Sequence, residues 1–143
     1  MNSKIQFFSE GISFILKNKN AIRSWLTRAI REENKNPWYI NIIFCNDDFL
    51  LELNKIYLHH TSLTDILTFP FTEQPDIISG DIYISVERVE ENAENFGEQK
   101  DRELRRVMIH GVLHLVGYRD KTGMEKRKMR EKEDYHLNKY EHI

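Results

Sequence analysis

Apolar positions recur along this chain at two periods. Ile22, Trp25, Leu26, Ala29 and Ile30 fall at helical spacing and predict a helix over 21–33, stopped by Asn36-Pro37. Tyr39, Ile40, Ile42, Ile43 and Phe44 predict a strand over 38–45, and a shorter strand is expected over 4–8. Asn46 with Asp47-Asp48 reads as the cap of a second helix, whose apolar stripe is Phe49, Leu50, Leu53, Ile56 and Tyr57. A strand over 64–71 is closed by Pro70. Another is predicted over 80–86, where Ile82, Ile84 and Val86 alternate with Asp81, Tyr83 and Ser85. Three helices follow, over 85–96, 101–117 and 121–140, the last strongly charged. The stretch 72–79 reads as a mobile loop. Interleaved helices and strands predict an α/β or α+β architecture, a small mixed sheet with helices packed around it. No shift of composition marks a second unit, so one domain over 1–143 is expected.

Composition narrows the class. With 143 residues, 40% hydrophobic and 31% charged, the chain can build a core and is not of the disordered type. No apolar run is long enough to span a bilayer, and the first residues lack a secretory pattern, so the cytoplasm is expected. Cys45 is the only cysteine, which excludes an intrachain disulfide. Its apolar neighbours favour a buried inert thiol over a metal-ligand or nucleophile role. The formal net charge of −2 argues weakly against coating nucleic acid, so any RNA contact must gather positive charge locally.

The chemistry concentrates in His110-Gly-Val-Leu-His114-Leu-Val-Gly117-Tyr-Arg-Asp120. Two histidines four apart on a helix share a face and can reach one ion. Gly117 can take the left-handed conformation that ends a helix, letting Asp120 fold back as a third ligand. Three protein ligands with an open position are typical of a catalytic metal site, and zinc is the expected ion. The competing reading is two hydrogen-bonded core histidines. Their neighbours, among them Met108, Ile109, Val112 and Leu113, are apolar. Burying unpartnered imidazoles there would cost about 1–3 kcal/mol each, which a shared metal removes. Helical zinc proteases place glutamate directly after the first histidine, whereas this chain has Gly111. That argues against a peptidase, without excluding an amidase, and for a hydrolase whose nucleophile is activated otherwise.

The segment His110–Asp120 resembles the motif of the YbeY-type rRNA maturation factors. So do Leu53-Asn54 and Tyr57 followed by Thr64-Asp65-Ile66-Leu67-Thr68-Phe69-Pro70, and Gly80-Asp81-Ile82-Tyr83-Ile84-Ser85. The likeness runs in order over most of the chain. It implies an α/β fold, one metal held by three side chains, and a single-strand endoribonuclease acting in small-subunit rRNA maturation and ribosome quality control. Ribosomal RNA precursors and the ribosome or its proteins are the implied partners. Two positions depart from the family pattern. The commonest third ligand is histidine, where this chain has Asp120, an acceptable but anionic ligand that makes the ion a weaker Lewis acid. Leu58 stands where an arginine is usual, leaving His59 and His60 as nearby substitutes or as a solvated loop pair.

Arg102, Arg105 and Arg106 precede His110 by one to two turns and are candidate RNA-phosphate contacts, weighed evenly against a solvated helix face. The mixed charges of 125–134 read as an ion-paired solvated helix. Asp65 and Asp81 are each open to orienting a metal ligand or to serving as turn and cap residues. Two rival functions stay open: a metal-dependent hydrolase of another substrate, and a ribosome-assembly factor with a structural metal.

Overall fold

The computed structural model describes residues 4–58, 64–71 and 74–142. Along the chain run β1 (Ile5–Ser9), α1 (Lys19–Glu32), β2 (Asn36–Cys45), α2 (Asp47–Leu58) and β3 (Ile66–Pro70). Then come β4 (Ile77–Ser85), α3 (Val86–Phe96), α4 (Lys100–Val116) and α5 (Gly123–Glu141). The four strands form one mixed sheet in the order β1-β2-β4-β3. β1 and β4 each pair in parallel with β2, and β3 pairs antiparallel with β4. The fold is α+β, as the interleaved pattern predicts.

Strand alternation sorts the side chains into two layers. Ile40, Ile42 and Phe44 of β2 and Ile82 and Ile84 of β4 face the main core with Trp25, Leu26 and Ile30 of α1 and Val107, Met108, Ile109, Val112 and Leu113 of α4. Cys45, Leu67, Phe69 and Tyr83 face the other side, where Phe49, Leu50 and Leu53 of α2 cover them. Truncating a fully buried core residue such as Met108 or Leu113 would cost about 2–5 kcal/mol. Burial pushes the Cys45 thiol up to about 12, which makes it the inert thiol expected from its neighbours.

Asn46 caps α2 by accepting from the Phe49 amide at 2.8 Å. Asp47 instead accepts from the Ser85 hydroxyl at 2.7 Å and pairs with Arg88 at 2.8 Å, tying α2 to the start of α3. One expectation is corrected. The end of the predicted mobile loop, Ile77–Ser79, is the first part of β4, held where Asn36 and Pro37 align with Ile77 and Ile78 and the Asn36 amide donates to the Asp76 carbonyl at 2.8 Å. The register shifts between Pro37 and Ile40, where proline has no N–H to give the ladder. Gly80 lets β3 approach: a Cβ there would stand 2.5 Å from the Phe69 carbonyl oxygen.

Candidate metal centre

α4 presents His110 and His114 one turn apart, and its end supplies the third side chain. Gly117 has φ 126°, and its amide donates to the carbonyls of Leu113 and His114. That turn reverses the chain, and the Tyr118 hydroxyl pins it by donating to Glu33 at 2.6 Å. Asp120 thereby returns to the histidine pair. Its rival use as a helix cap is taken by Thr122, which forms a capping box with Glu125 at the start of α5.

His110 Nε2 and His114 Nε2 stand 3.1 Å apart. Asp120 Oδ2 lies 3.2 Å from His114 Nε2 and 3.3 Å from His110 Nε2. Three ligands on a tetrahedral zinc shell of radius about 2.0–2.1 Å are spaced about 3.3–3.4 Å, so the triangle fits a small divalent ion. The donor set, two imidazoles and a carboxylate, suits zinc and other divalent transition metals. It is the one group of metal-competent side chains found among the described residues.

Glu133 of α5, only 4% exposed, sets the ring of His110. Its Oε2 lies 2.6 Å from His110 Nδ1. A carboxylate can only accept, so Nδ1 carries the proton and the Nε2 lone pair of the neutral ring points into the triangle. Burial pulls the His110 pKa down, but the Glu133 hydrogen bond and charge outweigh it, and the net shift is upward. The other Glu133 oxygen accepts from Arg106 Nη1 at 3.0 Å. The mixed charges of 125–134 predict a solvated, ion-paired helix around Glu133, and the orienting role is open to Asp65 or Asp81. The missed signal is the spacing of Met129, Glu133, His136 and Leu137, which puts a carboxylate on the buried stripe of α5.

The triangle opens on a cavity of about 600 Å³, a size suited to a nucleotide-sized ligand. Asp65 lines it, and burial, partly opposed by the His110 charge, raises its pKa. Glu103 lines it as well, and burial raises its pKa too. Asp81 sits elsewhere, accepting from Asn41 at 3.0 Å. Leu58 is at the cavity wall, whereas His59 and His60 lie outside the described residues.

Of the three arginines weighed as RNA-phosphate contacts or as a solvated helix face, one lines the cavity. Arg106 lines the cavity but is buried and bound to Glu133 and to Asp134 at 2.8 Å. Arg102 pairs with Glu98 and Glu141, and Arg105 stacks on Tyr140; neither lines the cavity. Lys126 and Arg130 of α5 do, on the exposed face that their mixed charges predict, with Arg130 Nη1 3.7 Å from Glu133 Oε1. Gly111 faces the sheet: a Cβ there would come within 2.7 Å of Ile66 and 2.9 Å of Ile82. A protease-type glutamate at this position would be driven into the core.

The family model for Endoribonuclease YbeY matches residues 5–141. A relative named Endoribonuclease YbeY from Flavobacterium psychrophilum is 47% identical over 130 residues, covering 91% of this chain and 92% of the relative. One from Christiangramia forsetii is 47% identical over 131 residues, covering 92% and 90%. A solution structure of a Thermotoga maritima protein superposes with a TM-score of 0.67 at 30% identity, covering 95% of this chain and 88% of that one. In sequence and in fold, this chain belongs to the Endoribonuclease YbeY family.

Proposed function

We propose that this protein is a metal-dependent endoribonuclease that cuts single-stranded RNA during small-subunit ribosomal RNA maturation and ribosome quality control. On this reading His110, His114 and Asp120 hold one divalent ion, zinc, and the protein works in the cytoplasm on ribosomal RNA precursors, at the ribosome or with its proteins. The observation that carries the reading is the triangle of ligand atoms, with edges of 3.1–3.3 Å, at the wall of a cavity large enough for a nucleotide. Membership of a family whose curated relatives are named endoribonucleases supplies the substrate class.

Zinc bound there would supply a Lewis acid toward a phosphoryl oxygen. The rest of the chemistry falls to the chain's own side chains. Glu133 fixes the tautomer and tilt of His110, and Arg106 balances the charge of Glu133. Lys126 and Arg130 bring the positive charge that the cavity offers an incoming phosphodiester, in place of the arginine that Leu58 replaces. Asp65 is a cavity carboxyl whose raised pKa lets it hold a proton closer to neutrality than an ordinary aspartate, so it is the candidate acid or base at this wall. The core-facing Gly111 leaves no glutamate in the protease position.

The test is cleavage of an unstructured oligoribonucleotide by purified protein beside His114→Ala, with a peptide amide as control. The reading requires RNA cleavage by the wild type and its loss in the variant. Amide hydrolysis without RNA cleavage would favour a different hydrolase. Metal binding with neither activity would favour an assembly factor.

A further inference from the structure

Phe96 sits where the helical pattern predicts burial. With Val86, Val89 and Ala93 it continues the apolar stripe of α3. Those three are buried, yet Phe96 is 71% exposed. It is absent from both hydrophobic clusters, and it lines the cavity beside the metal triad. Asn92, one turn earlier on the same face, lines the cavity too, with an amide that can both donate and accept.

The cavity's exposed positive charge comes from a different helix, since the buried Arg106 of α4 is bound to Glu133 and Asp134. Lys126 and Arg130 are spaced i, i+4 on α5 and so share a face. Both α3 and α5 pack on α4, the helix that carries His110 and His114. The site therefore has an aromatic and amide side from α3, the exposed cations Lys126 and Arg130 from α5, the latter 3.7 Å from the buried Glu133, and the ligand triangle from α4 and the turn after it. Single-stranded RNA has the same division: flat aromatic bases along one side and anionic phosphates along the other.

Resting on the endoribonuclease reading above, we propose that Phe96 is a stacking platform for an unpaired base of the RNA substrate. A base lies on its ring while the neighbouring phosphate faces Lys126 and Arg130, which lays the strand across the triad in one orientation. The same contact selects unpaired RNA, because bases in a duplex are already stacked on both faces and cannot be splayed onto a side chain without unpairing. The phenyl ring has no hydrogen-bonding group, so stacking on it tolerates any base.

The experiment measures binding of a fluorescein-labelled unstructured oligoribonucleotide, and of the same strand annealed into a duplex, to the zinc-loaded full chain. Phe96→Ala should weaken single-strand binding by about 5- to 150-fold, the range for losing one stacked base, with little effect on the duplex. Phe96→Trp should restore it, and zinc content should be the same in all three proteins. An abasic nucleotide walked along the strand should reproduce the loss at one position in the wild type and add nothing in Phe96→Ala. Unchanged single-strand binding in Phe96→Ala, or an equal loss on the duplex, would overturn the platform while the wild type still cuts RNA. A wild type that neither binds nor cuts single-stranded RNA would instead overturn the endoribonuclease reading, and the platform with it.

Discussion

Glu133→Gln separates orientation of a metal ligand from mere occupancy of space. Glutamine preserves the volume of Glu133 but cannot satisfy both partners. Its carbonyl can accept from His110 Nδ1, at 2.6 Å in the native protein, only by turning its amide toward Arg106 Nη1, now 3.0 Å from the carboxylate. Removing one member of a buried ion pair costs about 3–5 kcal/mol. The lower end applies, because Arg106 keeps Asp134 at 2.8 Å. A domain with about 5–15 kcal/mol of stability survives that loss. Zinc affinity should fall about 10- to 100-fold, the usual effect of losing the partner that orients a ligating histidine. The pH dependence has a definite sign. Glu133 is what lifts the His110 pKa above 6.5 against the downward pull of burial, so the variant's His110 pKa drops. The native ring then loses more of its metal affinity to protons in mild acid than the variant does. The affinity gap should be widest at mildly alkaline pH and narrow as pH falls through the native His110 pKa. Competition titration of zinc against a chromophoric chelator at several pH values measures this, with urea denaturation giving stability. Equal zinc affinities at alkaline pH, or a gap that widens toward acid, would refute the reasoning.

Asp120→Asn should weaken zinc binding with little change in denaturation midpoint, whereas Thr122→Ala should lose about 1 kcal/mol of stability and keep its zinc, since Thr122 is the cap of α5; the reverse pattern would reassign Asp120. Gly111→Ala gains about 1 kcal/mol of helix propensity but presses on Ile66 and Ile82 at a cost of about 1–3 kcal/mol, for a net loss of about 0–2 kcal/mol in chemical denaturation; a raised midpoint would show that the sheet gives way freely. Glu33 is held below 4.5 because its hydrogen bonds to Tyr118, His136 and Lys132 outweigh the upward push of burial. A depressed carboxylate pKa contributes stability that is present above 4.5 and is lost as pH falls through the folded value. Glu33→Gln should therefore be less stable than wild type at neutral pH, with the difference shrinking below pH 4.5, as urea midpoints across pH would record.

Much of the fold was legible because the two apolar periods are clean. The alternation at Ile82 and Ile84, and the stripes of α1 and α4, carry more than half of the main core, and Ile40, Ile42 and Phe44 of the predicted strand over 38–45 add to it. The start of β4 was hidden because Ile77–Ser79 is set by long-range pairing with β2, after a segment rich in turn residues. The histidine pair and the turn at Gly117 could be read locally, since i, i+4 spacing and a helix-ending glycine are local facts. Glu133 could not, because its partners Arg106 and His110 lie 27 and 23 residues away and only the packing of α5 on α4 joins them. The same packing explains the arginines. Arg106 shares the histidines' side of α4, but α5 covers it there, and the accessible cations at the cavity belong to α5 itself.

The central claim is that one ion held by His110, His114 and Asp120 gives this protein its ribonuclease activity. The most direct test strips the purified protein with a chelator, then titrates zinc back while following metal content and cleavage of a single-stranded RNA together. The account predicts that cleavage rises in step with occupancy and levels off at about one ion per chain, and that His114→Ala recovers neither. Cleavage that persists in the stripped protein, or that returns to His114→Ala without bound metal, would contradict it.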